Sequence, residues 1–140
     1  MKNKLEGFFK PESIAVVGAS KDSRKIGHAA LKNIIISDYE CKLYPVNPHE
    51  EEILGITCYK KITDINDSLD LVLVSVPAKI VPSIMKDCVK NKVKNAIIIS
   101  SGFSEVGNNK LENEVASIIK DSGMRVLGPN TMGYKNASDG

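Results

Sequence analysis

The hydrophobic positions of this chain form short, nearly unbroken runs that alternate with stretches in which apolar residues recur every three or four positions. The runs lie at residues 14–17, 71–76 and 96–99, and mixed segments at 41–46 and 125–127 predict two further strands. A continuous apolar run suits a parallel strand that is buried on both faces. The alternation of strands and helices predicts an α/β fold with a doubly wound parallel sheet.

Three helices are predicted between these strands from the apolar spacing. The first begins near Gly27, and the second carries Pro82 in its first turn, where a missing N–H does little harm. Asn109 and Glu112 resemble a capping box at the start of the third helix, which we expect to end at Gly123. An extended excursion is expected at 53–59 and one helical turn at 62–65. The predicted buried faces are Ala30, Leu31, Ile34 and Ile35, then Ile80, Val81, Ile84, Met85, Cys88 and Val89, and finally Leu111, Val115, Ile118 and Ile119.

The turn between the first strand and the first helix has the composition of an anion site. Gly18 ends the strand and Gly27 opens the helix, so the turn offers backbone N–H groups and the positive end of a helix dipole. Phosphate is the anion that we expect there. The residues between the glycines that we assign to this site are small, hydroxyl-bearing or basic: Ala19, Ser20, Lys21, Ser23, Arg24 and Lys25.

This turn differs from the dinucleotide fingerprint, in which three glycines stand within six positions. The loop between Gly18 and Gly27 is longer and more basic, which favours a ligand with an extra phosphate over plain NAD. Of the three cations, we expect Lys21 to make the strongest phosphate contact because it directly follows the strand end. The alternative interpretation is an ordinary solvated loop.

The second strand ends in Asn47 and Pro48, where an NAD-binding fold usually has an acid for the ribose 2′-hydroxyl. His49 and three glutamates follow, so the acidic residues lie just beyond the usual place. All five predicted strand ends consist of small, polar or proline residues. Because parallel strands direct their carboxyl ends to one edge, these segments predict an open rim for bases and phosphates: 18–20, 47–48, 76–78, 100–102 and 128–130.

The composition fits one globular domain spanning residues 1–140, with a lead-in at 1–10 and a tail at 134–140. No apolar run approaches the roughly 20 residues that span a bilayer, so we expect a cytoplasmic protein that does not bind membranes. The net charge of +2 gives no indication of nucleic-acid binding. Phe8 and Phe9 of the lead-in are expected to pack under the sheet edge.

The reactive side chains suggest no complete catalytic site. Cys41, Cys58 and Cys88 are widely spaced and lack a CxxC pair, so we expect them to pack in the core and not to bind metal. His28 and His49 have no neighbouring nucleophile and are expected at the surface or in loops. We therefore predict no catalytic residue and no metal ligand in this chain.

Six motifs occur in order between about residue 8 and residue 133: VVGAS, YPVNP, an isolated GxxCY, DLVLVSVPA, a strand that leads into SSGFSE, and GPNTMG. Together with the glycine that opens the first helix, they closely resemble the CoA-binding N-terminal domain of ADP-forming acyl-CoA (acetyl-CoA) synthetases. They also resemble the α subunit of succinyl-CoA synthetase. The resemblance implies a Rossmann-like domain that binds coenzyme A.

The resemblance also assigns roles to parts of the rim. It implies that the loop from Ser20 to Gly27 holds the phosphates of CoA. Two positions depart from the family pattern: His49 stands where a cation often follows the second strand, and Thr131 stands where the GPN loop often carries cysteine. The segments that would border the adenosine or line the path of the cofactor are Asn47, Pro48, Val76, Pro77 and Ala78, then Ile99, Ser100, Ser101 and Gly102.

In the resembled family, phosphoryl transfer uses a histidine of a following domain. The implied partners are therefore further synthetase domains or subunits, of flavodoxin-like and ATP-grasp type, and we expect no ligase activity from this chain alone. Two other functions stay open at this point. One is an NAD(P)-binding redox module, which the absent fingerprint weakens, and the other is a regulatory module that senses CoA.

Overall fold

The chain alternates strands and helices through residues 5–133, the part that the computed structural model describes. The strands are β1 (Ser13–Val17), β2 (Lys42–Val46), β3 (Glu52–Ile53), β4 (Ile56–Thr57), β5 (Leu71–Val74), β6 (Asn95–Ile98) and β7 (Arg125–Leu127). The helices are α1 (Glu6–Phe9), α2 (Ile26–Ile36), α3 (Val81–Lys90) and α4 (Asn109–Ile119). Short 3-10 turns lie at Ile62–Asp64, Ala78–Ile80 and Ser104–Val106.

Five parallel strands form the central sheet in the order β2-β1-β5-β6-β7. The chain moves outward from β1 to β2, crosses back past β1 to β5, and then continues in the other direction. The reversal places a topological switch point between β1 and β5, where sheets of this kind bind their ligands. The predicted α/β fold with a doubly wound parallel sheet is confirmed.

Alternate residues of β1 serve two separate cores. Ala15 and Val17 face α3 and α4, whose contributions to that core include Met85 and Val115. Ile14 and Val16 face the opposite side, where they pack with Leu31 of α2 and with Phe8. All five residues of β1 are buried, which explains why the strand is apolar at nearly every position.

Several predicted boundaries differ from the structure by one or two residues. The second strand begins at Lys42, and the strand expected at 71–76 ends at Val74 because the Val76 N–H donates to the Ser100 hydroxyl and leaves the ladder. The extended excursion is an antiparallel pair, β3 with β4, reversed through Leu54 and Gly55, which both have positive φ. The predicted turn at 62–65 is the 3-10 turn Ile62–Asp64.

The predicted capping box at the start of α4 is wrong. Asn108, and not Asn109, is the N-cap residue, and neither residue caps the helix with its side chain. The Glu112 carboxylate instead accepts the Ser104 N–H at 2.9 Å, because the preceding 3-10 turn folds back over the helix start. The helix also ends at Ile119, before Gly123. Pro82 lies in the first turn of α3, as predicted.

The lead-in contains the short helix α1. Phe8 is buried, whereas Phe9 remains 42% exposed, so only one of the two predicted aromatics joins the core. Cys58 and Cys88 are buried as expected, and Cys41 is half-buried. Residues 1–4 of the lead-in and the predicted tail at 134–140 lie outside the described residues. Within residues 5–133, no helix is both long enough and apolar enough to span a membrane.

Candidate functional site

Direct contacts join the loops that follow the carboxyl ends of the five parallel strands into one rim. The Asn47 side chain donates to the carbonyl of Ala19 at 2.8 Å, which joins the loops after β2 and β1. Ser100 joins two more, since its hydroxyl accepts the Val76 N–H and its carbonyl accepts the Asn130 N–H at 2.9 Å. Together with the approach of Gly18 to Ser75 after β5, these contacts bring the five loops together at one edge of the sheet.

Gly18 and Gly27 bring three backbone segments together at the switch point. Gly18 has φ of +86°, and a Cβ atom there would lie 2.0 Å from the carbonyl oxygen of Ser75 after β5. A Cβ atom at Gly27 would lie 1.9 Å from the carbonyl oxygen of Gly18. Only glycine allows both approaches, so the start of α2 rests directly on the turn that leaves β1.

The first turn of α2 presents unsatisfied backbone donors to this rim. Lys25 is the N-cap residue, and its carbonyl accepts the N–H groups of His28 and Ala29. The N–H groups of Ile26 and Gly27 find no acceptor among the described residues. Free amides at the positive end of a helix dipole are suited to an anion.

The three cations of the loop differ in their partners. Arg24 forms a two-pronged contact with Asp22, with both N–O distances at 2.9 Å. Lys21 pairs with Glu50 at 2.9 Å, and this hydrogen bond and the carboxylate charge raise the pKa of Lys21 above its ordinary value. Lys25 forms no ion pair within the described part of the chain, which leaves its ammonium available beside the start of α2.

His28 differs from its prediction as a surface or loop histidine. It lies in the first turn of α2, is half-buried, and its Nδ1 is 2.8 Å from the carbonyl oxygen of Ser20. The Ser20 hydroxyl in turn accepts the Asp22 N–H at 3.1 Å. Together these bonds hold the loop against the helix. The sequence lacks a signal for this role, because the contact spans eight residues across an irregular loop. His49 is exposed, as predicted.

Both ends of the Asn47 side chain are bonded within the protein. Its amide nitrogen binds Ala19, and its oxygen accepts the His49 N–H at 2.9 Å. Asn47 thus shapes the loop after β2, while the neighbouring Pro48 is exposed. The acidic residue that follows this strand does reach the rim, since Glu50 meets Lys21 there.

The loops after β5 and β6 complete the other half of the rim. Gly102 lies against Ala78, since a Cβ atom on Gly102 would be 3.0 Å from the Ala78 side chain. Ser100 is buried and bonded to backbone, whereas Ser101 is exposed. Pro77 is exposed and Val76 half-buried. Ile99 turns its side chain toward the α2 face of the sheet, so only its backbone borders the rim.

Two cavities lie away from this rim. One, of about 680 Å³, is at the opposite edge of the sheet and is lined by polar residues such as Glu12, Asp70 and Asn95. The other, of about 650 Å³, lies between α2 and the sheet and is lined largely by apolar residues such as Leu73 and Ile99. Across residues 5–133, no cluster of three or more His, Cys, Asp or Glu side chains could hold a metal ion.

The rim can bind a long, phosphate-bearing ligand through backbone N–H groups and flanking cations. Small residues at the strand ends leave the backbone open, which suits a flat base or a narrow chain. No nucleophile with an adjacent base is placed at the rim among the described residues.

Comparison with known proteins agrees with this geometry. The acetate–CoA ligase [ADP-forming] of Methanocaldococcus jannaschii is 46% identical over 126 residues, which are 90% of this chain and 18% of that protein. The α subunit of acetate–CoA ligase [ADP-forming] I of Pyrococcus furiosus is 44% identical over 92% of this chain and 29% of the subunit. This chain thus spans less than a third of these curated relatives.

The solved structures show the same similarity in three dimensions. The acetyl-coenzyme A synthetase 1 of Ca. Korarchaeum cryptofilum, described as dinucleotide forming and solved with phosphate and ADP, superposes with a TM-score of 0.93 and 46% identity. The match covers 99% of this chain and 30% of that one. A profile of the CoA binding domain family matches residues 12–137. The chain therefore belongs to the CoA binding domain family.

Proposed function

We propose that this chain holds coenzyme A along the rim, as the CoA-binding part of an ADP-forming acetate–CoA or related acyl-CoA ligase. The phosphates lie at the turn between Gly18 and Gly27. The adenosine lies beside Asn47, Pro48 and the loop after β5. The pantetheine arm runs past Ser101 and Gly102 along the loop after β6.

One observation carries this assignment. The N–H groups of Ile26 and Gly27 at the start of α2 have no acceptor among the described residues, and the turn beside them is closed by backbone contact, with Lys25 as the N-cap residue. CoA carries a diphosphate and a ribose 3′-phosphate, so it supplies the anions that such a turn requires. A ligand without an anionic group would leave these donors to water.

The ligase reaction itself belongs to a larger protein in this proposal. The relatives are about three to six times as long as the segment that they share with this chain. We assign phosphoryl transfer and the acyl substrate site to further domains or subunits, of flavodoxin-like and ATP-grasp type, that act in the cytoplasm. The 140 residues then contribute the CoA site of that assembly.

A thermal-shift panel of CoA, dephospho-CoA, NAD and NADP on the purified chain tests the proposal. At a free CoA concentration about 100 times Kd, binding stabilises the native state by about 2.7 kcal/mol, which raises Tm by several degrees. We expect a larger shift with CoA than with NAD, because the loop is basic and the strand end lacks the usual acid.

Two variants with the same charge change locate the site. Lys25→Ala should reduce the CoA shift, whereas Lys120→Ala, an exposed lysine that follows α4, should leave it unchanged. Stabilisation by NAD with no response to CoA would overturn the proposed function. Equal CoA shifts in the wild type and Lys25→Ala would place the phosphates elsewhere.

A further inference from the structure

The ion pair between Lys21 and Glu50 occupies the point where the loops after β1 and β2 meet. The Nζ–Oε2 distance is 2.9 Å, and the two side chains are 62% and 25% exposed, respectively. Lys21 lies within the phosphate turn (residues 18–27) and is the cation nearest in sequence to the end of β1. In this structure its charge is already partnered by a carboxylate of the protein.

Glu50 is the more firmly held member of the pair. Its carbonyl accepts a hydrogen bond from Lys60 Nζ at 3.0 Å, and its N–H lies 3.5 Å from the carbonyl oxygen of Asn47 in the turn after β2. Asn47 is itself bonded to Ala19. The Glu50 carboxylate therefore stays near Lys21, while the long, exposed lysine side chain is free to turn toward a ligand.

At this point of the fold, dinucleotide-binding sheets distinguish a ribose with a free hydroxyl from a ribose that carries a phosphate. An acid after the second strand binds a ribose hydroxyl, whereas a cation there accommodates a ribose phosphate. Here both groups are present and bonded to each other. A ribose phosphate at this point must displace Glu50 from Lys21 and then lie close to its negative charge, which Glu51 and Glu52 reinforce. A ribose hydroxyl can donate to Glu50 instead.

We propose that Glu50 sets the preference of the rim between CoA and dephospho-CoA, by competing with the ribose 3′-phosphate for the Lys21 ammonium. The inference rests on the proposed function, since it needs adenosine between the loops after β1 and β2. Glu50 acts against the phosphate, so the wild-type chain discriminates less strongly in favour of CoA than its basic loop would allow.

Isothermal titration of CoA and of dephospho-CoA against the wild type and Glu50→Gln tests this role. Removing the competing charge should tighten CoA binding about fivefold, the scale of a partly exposed ion pair. Dephospho-CoA should bind with an affinity within about twofold of the wild-type value, or slightly more weakly. The ratio of the two affinities is the readout, and a change in folding alone would not move it.

Two further variants control the experiment. Glu51→Gln removes the same charge from a residue that forms no ion pair in the described part of the chain, and it should change neither affinity by more than about twofold. In a Lys21→Ala background, Glu50→Gln should no longer favour CoA, because the contested cation is absent.

The outcomes separate this inference from the proposed function. If CoA binds the wild type but Glu50→Gln and Glu51→Gln show the same ratio of CoA to dephospho-CoA affinity, the role of Glu50 is refuted and the CoA site stands. Equal gains for both ligands would assign Lys21 to the diphosphate and also overturn the inference. Failure of CoA to bind the folded wild type overturns the proposed function, and the inference with it.

Discussion

Replacing Gly27 with alanine tests the close approach that forms the phosphate turn. The new methyl group would lie 1.9 Å from the Gly18 carbonyl oxygen, 2.7 Å from its carbon and 3.2 Å from the Ala19 Cα atom. An ordinary contact begins at 3.4 Å, so α2 and the turn must separate by about 1.5 Å. Every atom in the way belongs to backbone, so no side chain can rotate aside.

Two opposing terms set the size of the effect. Alanine favours a helix over glycine by about 1 kcal/mol, so an unobstructed site would be stabilised. Overpacking of a tight site costs about 1–3 kcal/mol. We expect a clash at the upper end of that range, about 2–3 kcal/mol, because it opposes two backbone segments that also carry other contacts, and the net loss is then about 1–2 kcal/mol. For a domain of this length, that loss lowers Tm by about 3–8 °C.

Thermal unfolding followed by circular dichroism, together with CoA titration, measures both consequences. The displaced N–H groups of Ile26 and Gly27 should weaken CoA binding at least about tenfold, the loss of one charge-assisted hydrogen bond. Lys32→Ala, an exposed substitution on α2, should alter neither quantity. A higher Tm in Gly27→Ala with unchanged CoA affinity would show that helix propensity dominates and that α2 does not rest on the turn.

Three further predictions follow from other contacts. Lys21→Ala should weaken CoA binding about tenfold and reduce its salt dependence, without lowering the Tm of the free protein. Equal CoA affinities of the wild type and Lys21→Ala in titrations would support the alternative interpretation of the loop as an ordinary solvated connection. Hydrogen bonds from the Lys42 ammonium and the Tyr44 hydroxyl lower the pKa of Asp67 from 3.8 to about 2. These bonds therefore stabilise the folded state above pH 3.8, and the stabilisation is lost as the pH falls toward 2. Asp67→Asn should flatten this acid-side decline in Tm, and parallel wild-type and variant curves would contradict the assignment. The purified chain should not turn over acetate, ATP and CoA, and reproducible turnover in a coupled assay would contradict the assignment of chemistry to other domains.

The strands at the centre of the sheet could be predicted because burial on both faces leaves a clear sequence pattern. Val16 and Val72 are fully buried, and each lies in a short apolar run. The boundaries were less predictable. Val76 is as apolar as the strand before it, but its N–H bonds to a hydroxyl of the next strand end. The pattern of apolar residues indicates which positions are buried, but it contains no information on such a local change of hydrogen-bond partner.

The sequence indicates candidate residues for the site, but it does not predict their bonds to one another. Gly18 and Gly27 stand out in sequence because glycine marks a turn. The partner of Lys21 is 29 residues away, and the partner of His28 is a carbonyl group, which every residue carries. The false capping box has a similar origin, since Glu112 matches the motif but its carboxylate accepts the Ser104 N–H instead. Sequence spacing describes local geometry, whereas these contacts depend on how separate loops meet.

The bond from Asn47 to Ala19 has a consequence for how the energy of ligand binding is divided. Asn47 and His28 fix the loops after β1 and β2 before any ligand arrives, so the conformational entropy of these loops is lost during folding. A ligand that then enters meets donors already in position, and little further ordering opposes its affinity. The entropy cost of ordering the rim therefore reduces the stability of the free domain. Release of either bond would shift that entropy loss from the folding reaction to the binding reaction.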